Sequence, residues 1–106
     1  MNMYIQNEET PNPNAVKFLP GFDISPDNPI YFKNMDEAYN SVLARKLLTI
    51  EEVEAVFFGS NFITITKIDK ALWQIVKPEI IMTIMDHFTS GLPIFDDAKK
   101  GKKVKI

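Results

Sequence analysis

Residues 53–58 form a mostly apolar run and residues 62–67 alternate with a period of two from Ile63 to Thr66, the pattern of strands, and Gly59-Ser60-Asn61 joins the two runs as a three-residue hairpin connection. Setting Phe58 opposite Phe62 pairs Val56 with Thr64 and Glu54 with Thr66. Val53, Ala55, Phe57, Ile63 and Ile65 then form the core face, and Val56, Phe58 and Phe62 point the other way. Residues 3–6 and 15–19 read as two further short strands, with Met3, Ile5, Val16 and Phe18 on one face and Tyr4, Gln6 and Lys17 on the other. Ile30-Tyr31-Phe32, which follows Pro26 and Pro29, reads as an edge strand.

The period lengthens to that of a helix in two places. Ser41 is placed to cap a helix running to Leu48, whose Leu43, Ala44, Leu47 and Leu48 share one stripe, and Asp36 to cap a single turn ending at Tyr39. Later, Ile81, Ile84, Met85 and Phe88 repeat at i, i+3, i+4 and i+7, with Pro78 suited to the first turn and Gly91 to the C-cap. These elements predict an α+β fold: a two-layer sandwich with a mainly antiparallel sheet of four or five strands and helices chiefly on one face.

Two features are candidates for meeting a partner. In residues 7–14, the run Thr10-Pro11-Asn12-Pro13-Asn14 combines prolines that fix φ with asparagines that bond nearby backbone, which makes a stiff turn. Such a turn either locks the hairpin or presents Thr10, Asn12, Asn14 and Lys17 as fixed polar groups. The second candidate is the outward face of the central hairpin. There Val56, Phe58 and Phe62 form an apolar contact patch unless residues 22–33 or 92–95 cover them.

Composition removes most chemistry. The chain has 106 residues, enough for one domain with one core, and no cysteine, so disulfides, thiolate-held clusters and cysteine nucleophiles are excluded. His87 is the only histidine and stands on a helix with Thr83 and Gly91 at the neighbouring positions, which suits a partly exposed or hydrogen-bonded residue better than a base or ligand. The carboxylate groups Glu8-Glu9, Glu51-Glu52 with Glu54, and Asp96-Asp97 lack calcium-loop spacing, and the glycines form neither a phosphate loop nor a nucleophile elbow. No catalytic and no metal-binding residue is assigned.

Charge is uneven. Residues 1–98 hold seven basic and fourteen acidic side chains, a net charge of −7, whereas Lys99, Lys100, Lys102, Lys103 and Lys105 crowd the end. The acidic body disfavours nucleic acid and suits a basic protein partner. The lysine run, without interleaved aromatics, reads as a linker rather than a membrane or RNA contact. No apolar run is long enough for a membrane span and no targeting pattern opens the chain, so the cytoplasm of a bacterium is the expected compartment. If the source is eukaryotic, it is the mitochondrial matrix.

Several of these residues together resemble a known family. Ile5-Gln6 with Glu8, Thr10-Pro11-Asn12-Pro13-Asn14 and Lys17-Phe18-Leu19-Pro20-Gly21 are similar to the opening motif of the N-terminal domain of Nfu-type (NifU-like) iron–sulfur cluster scaffolds. Ser41 with Leu43-Ala44 and Lys46-Leu47, Val56-Phe57-Phe58-Gly59, Phe62-Ile63-Thr64-Ile65-Thr66-Lys67, Trp73 and Lys77-Pro78 continue that pattern in order. Val42, where the family often has proline, and Glu51-Glu52, in place of a glycine-containing turn, depart from it.

The resemblance implies a non-catalytic domain, residues 1–95, with residues 96–106 as a basic linker or tail. In this family a 4Fe-4S cluster is held by a separate C-terminal domain with a Cys-x-x-Cys motif, which has no counterpart here, so this chain itself is expected to hold no cofactor. The expected partners are iron–sulfur recipient or assembly proteins and the missing C-terminal domain. A purely structural role, or a stand-alone regulatory one, is the alternative.

Overall fold

The computed structural model describes residues 4–96. Five strands, β1 (Gln6–Glu9), β2 (Ala15–Leu19), β3 (Ile30–Phe32), β4 (Val53–Phe58) and β5 (Ile63–Lys67), form one antiparallel sheet in the order β1-β2-β5-β4-β3. A 3-10 turn (Met35–Ala38) and two helices, α1 (Val42–Thr49) and α2 (Trp73–Ser90), complete the chain. Both helices bury their apolar stripes against the same face of the sheet, giving the expected two-layer α+β arrangement.

The hairpin register differs from the expected one by one residue, and this turns Val56 and Phe58 inward and Phe57 outward, while Val53, Ile63 and Ile65 keep the expected core face. Phe58 pairs with Ile63, Phe57 with Thr64 and Val56 with Ile65, and Gly59 N–H donates to the Phe62 carbonyl at 2.9 Å, so the reversal falls on Ser60-Asn61. Toward the other end β4 carries one extra residue, Glu54, between Val53, which pairs with Lys67, and Ala55, which pairs with Thr66. Such a bulge inverts the in/out alternation on one side of it. Val53, Val56 and Phe58 thereby all reach the core, whereas strict alternation from Val53 would place Val56 and Phe58 outside.

Val56 and Phe58 are therefore not an outward patch: both are 0% exposed. Val16, Ile65, Val56 and Phe32 align across four strands, and Phe18, Ile63, Phe58 and Ile30 beside them. Leu43, Ala44 and Leu47 from α1 and Val76, Ile80 and Ile84 from α2 close this layer. Phe58 meets the ring edges of Phe32 and Phe95 at centroid distances of 5.0 and 6.0 Å.

Three ends are placed differently from expectation. β1 starts at Gln6 rather than at residue 3, and Met3 lies outside the described residues. Its four residues are all exposed because an edge strand gains its place from backbone pairing, not from an apolar face. The 3-10 turn is capped by Asn34, whose side chain accepts from Glu37 N–H at 3.0 Å, two residues ahead of Asp36. α2 begins at Trp73, five residues before Pro78, which sits inside the helix and forfeits one backbone bond. The helix is held in place on either side of Pro78 by burial of Val76, Ile80 and Ile84.

Ser41 caps α1 as expected, accepting from Ala44 N–H at 3.1 Å, and the same hydroxyl donates to the Ile94 carbonyl at 2.7 Å. Arg45 adds a second tie, pairing with Asp96 at 3.0 Å and donating to the Tyr39 carbonyl at 2.7 Å. The chain from Leu92 to Asp96 is thus strapped across the N-terminal end of α1, with Ile94 and Phe95 packed on the core. The lysine run lies outside the described residues.

Truncating a fully enclosed aromatic removes its transfer energy and leaves a cavity. Phe58→Ala is expected to cost about 3–5 kcal/mol of unfolding free energy. Phe57→Ala, on the opposite face, is expected to cost well under half of that. Urea unfolding of the two variants checks the assignment of faces.

Candidate functional site

The proline turn spends its polar groups on itself. The Thr10 hydroxyl accepts from Asn12 N–H at 3.1 Å and lies 3.0 Å from both the Asn12 and Ala15 carbonyls, while the Asn12 side chain accepts from Asn14 N–H at 2.9 Å. Asn14 is held from across the molecule: its carboxamide oxygen accepts from Lys67 Nζ at 2.9 Å and its NH2 donates to Asp69 at 3.1 Å. Lys67 is buried, and its ammonium is also within 3.2–3.3 Å of the Asp69 and Ile68 carbonyls. Trp73 Nε1–H donates to the Pro13 carbonyl at 2.8 Å, pinning the start of α2 to the turn.

Of the candidate residues, Thr10, Asn12 and Asn14 are therefore brought together, but as the framework of a locked turn. A shallow groove of about 300 Å³ runs beside it, lined by Glu9, Thr10, Pro11, Pro13, Trp73 and Lys77. Lys67, which organises the whole cluster, enters the sequence reading only as the end of a strand and of the family-like run 62–67, with nothing to mark it as buried.

Lys17 belongs elsewhere. It projects from β2 onto the sheet face that carries no helix, where its Nζ lies 4.3 Å from the centroid of the Phe62 ring. Glu8, Lys17, Thr64, Phe57 and Tyr31 form one continuous row across all five strands of that face. Phe57 and Phe62 are half-buried with centroids 6.0 Å apart, and Tyr31 is 54% exposed. The Phe62 ring lies flat over Gly59, so a Cβ at residue 59 would overlap it. This arrangement joins two candidates, Lys17 and Phe62, with two that sequence reasoning missed, Phe57 and Tyr31. The signal that could have found them was the spacing of Val53, Val56 and Phe58, three and then two, which is the mark of a bulged strand.

His87 differs from expectation. It has no exposed surface, and neither ring nitrogen has a hydrogen-bond partner. Burial, reinforced by the positive charge of Lys46, holds its pKa below the ordinary 6.5. The Leu92 and Pro93 carbonyls, near the ring but outside hydrogen-bond geometry, oppose this only in part. A neutral imidazole sealed in the helix layer has no access to a substrate. Among the described residues, no group of three or more His, Asp or Glu is placed to hold a metal ion, and no helix is long and apolar enough to cross a membrane.

Comparison with known proteins adds an independent line. The family model described as scaffold protein Nfu/NifU N terminal matches residues 5–91. The protein named NFU1 iron-sulfur cluster scaffold homolog, mitochondrial, of Drosophila sechellia is 45% identical over 106 residues, covering 99% of this chain and 38% of that protein. Its namesake in Drosophila erecta is 44% identical with the same coverage. The chain thus spans well under half the length of the curated relatives it matches. The solution NMR structure of a NifU-like protein from Saccharomyces cerevisiae superposes with a TM-score of 0.76 at 32% identity, covering 90% of this chain and 89% of that one. A Staphylococcus aureus crystal structure at 23% identity, covering 79% and 99%, shares the fold with a TM-score of 0.68.

Removing the Lys67 ammonium leaves the Asn14 oxygen and two carbonyls without their charged donor. Lys67→Met is expected to cost about 1.5–3 kcal/mol in urea unfolding, with the largest amide shifts in residues 10–14. For His87, the folded state binds its proton less readily than the unfolded chain. Stability is therefore expected to hold above pH 6.5, to decline as pH falls below it, and to level off once the lower folded-state pKa is passed. Unfolding midpoints between about pH 7.5 and 5.5 check this, and His87→Leu should remove that part of the slope.

Proposed function

The chain belongs to the Nfu/NifU N-terminal scaffold family, and on that footing we propose that it is the non-catalytic N-terminal domain of an iron–sulfur cluster scaffold or carrier. In this reading it assists assembly or delivery of a 4Fe-4S cluster through protein–protein contacts. The cluster is cargo, held by a C-terminal domain with its own cysteines, since this chain has none. Residues 96–106 serve as the basic connection to that domain. The partners are iron–sulfur recipient or assembly proteins and the cluster-binding domain itself. The Drosophila relatives are named mitochondrial, which favours the mitochondrial matrix over a bacterial cytoplasm as the compartment.

One observation carries the contact role: one face of the sheet is sealed by two helices while the other leaves Tyr31, Phe57 and Phe62 at the surface around Lys17. Small domains have few aromatics to spare from the core, and three on the uncovered face make an apolar patch of the kind that binds proteins. The contact residues in this reading are Lys17 and Phe62 with Phe57 and Tyr31. Thr10, Asn12 and Asn14 support the framework and take no direct part.

A second reading, a purely structural spacer, draws on the inward commitment of the turn's polar groups. Cluster transfer separates the two. In a full-length scaffold carrying this domain, Phe57→Ser with Phe62→Ser is expected to slow delivery to a recipient by about tenfold, the loss of roughly 1.4 kcal/mol of binding, with cluster loading unchanged. Equal transfer rates from the variant, the parent and the isolated cluster domain, across all recipients tried, would favour the spacer.

A further inference from the structure

Resting on the contact role just proposed, we infer that Gly59 is a positioning residue for the open face: the side chain it lacks is what lets the Phe62 ring lie in one fixed orientation, as a pre-formed anchor for a partner protein. Glycine is needed wherever the backbone turns left-handed, and Gly21 and Gly91, at φ of 91° and 80°, are of that kind, with nothing within 4 Å of where a Cβ would stand. Gly59 is the reverse. Its φ lies outside the left-handed region, so alanine could adopt its backbone, yet a Cβ there would overlap Cζ, Cε1 and Cε2 of the Phe62 ring. The demand for glycine comes from the ring and not from the turn.

The backbone against which the ring rests is itself held. Gly59 N–H donates to the Phe62 carbonyl at 2.9 Å, and the Gly59 carbonyl accepts from Ser25 N–H at 3.1 Å, so the peptide groups on both sides of Gly59 are tied. Around the ring, the Lys17 ammonium lies 4.3 Å from its centroid and the Phe57 ring 6.0 Å away. Gly59 is buried, and Phe62 remains half-buried with part of its surface left for a partner. An aromatic side chain at a surface ordinarily loses rotamer freedom when a partner lands on it, a loss of roughly two- to tenfold in affinity. Here that ordering is already present in the free domain. Phe62 is also the residue type that interfaces favour, since aromatic side chains are enriched in them.

A double-mutant cycle and one resonance test the seating of the ring in the 106-residue chain. Gly59→Ala is expected to lower the urea midpoint of the parent but to leave that of Phe62→Ala nearly unchanged, because the clash disappears with the ring. An equal drop in both backgrounds would assign the glycine to the turn itself and overturn the inference. The Gly59 Hα that points at the ring is expected to resonate well upfield of its position in Phe62→Ala, and coincident shifts would overturn the fixed orientation. In a full-length scaffold, Gly59→Ala is expected to slow cluster delivery to a recipient roughly two- to tenfold, and to make no difference once Phe62→Ala is present. Parent-like delivery by Gly59→Ala beside slow delivery by Phe62→Ala would overturn the positioning role alone. Parent-like delivery by both would remove the contact role on which it rests.

Discussion

The extra residue that β4 carries at Glu54 decides which side chains of that strand meet the helices. On one side of it Val53 faces the helices opposite Lys67; on the other Val56 and Phe58 do so opposite Ile65 and Ile63. Without the bulge one of these sets would have to turn outward, and burial of large aliphatic and aromatic side chains is the main source of a small domain's stability. The bulge also fixes what remains outside, since Phe57 is placed on the open face by the same parity that buries its two neighbours.

A second consequence concerns Lys67. Its position on the helix side of β5, with Val53 opposite, brings its ammonium to Asn14 and within 5.8 Å of the Trp73 ring centroid. A buried cation is tolerable only where its hydrogen bonds are met, and three oxygens meet them here. The proline turn, β5 and the first turn of α2 are thus one interlocked unit. This explains how α2 tolerates an unassisted start at Trp73 and a proline inside it: the helix is positioned by its tertiary ties rather than by its cap.

Much of this was legible from pattern alone. Ser41 as a cap, Gly91 as a helix end, the strand Ala15–Leu19 and the two-layer α+β class follow from local chemistry that the tertiary structure does not override. The candidate site was legible only in pieces. Phe62 and Lys17 are candidates on different grounds and are neighbours in the structure, whereas strict alternation, which has no place for a bulge, puts Val56 and Phe58 on the outward face, exposed unless residues 22–33 or 92–95 cover them. His87 was read as an accessible or satisfied helix residue, and nothing local distinguishes that from a sealed one; the difference is made by the strap from Leu92 to Asp96, distant from any pattern in the helix itself.

That strap also sets an orientation. Asp96 is fastened to Arg45 and to the Asn40 carbonyl, at the N-terminal end of α1 and hence in the helix layer. The aromatic row lies on the far side of the sheet. The described chain therefore ends in the helix layer, with the full thickness of the domain between its last anchored residue and the aromatic row.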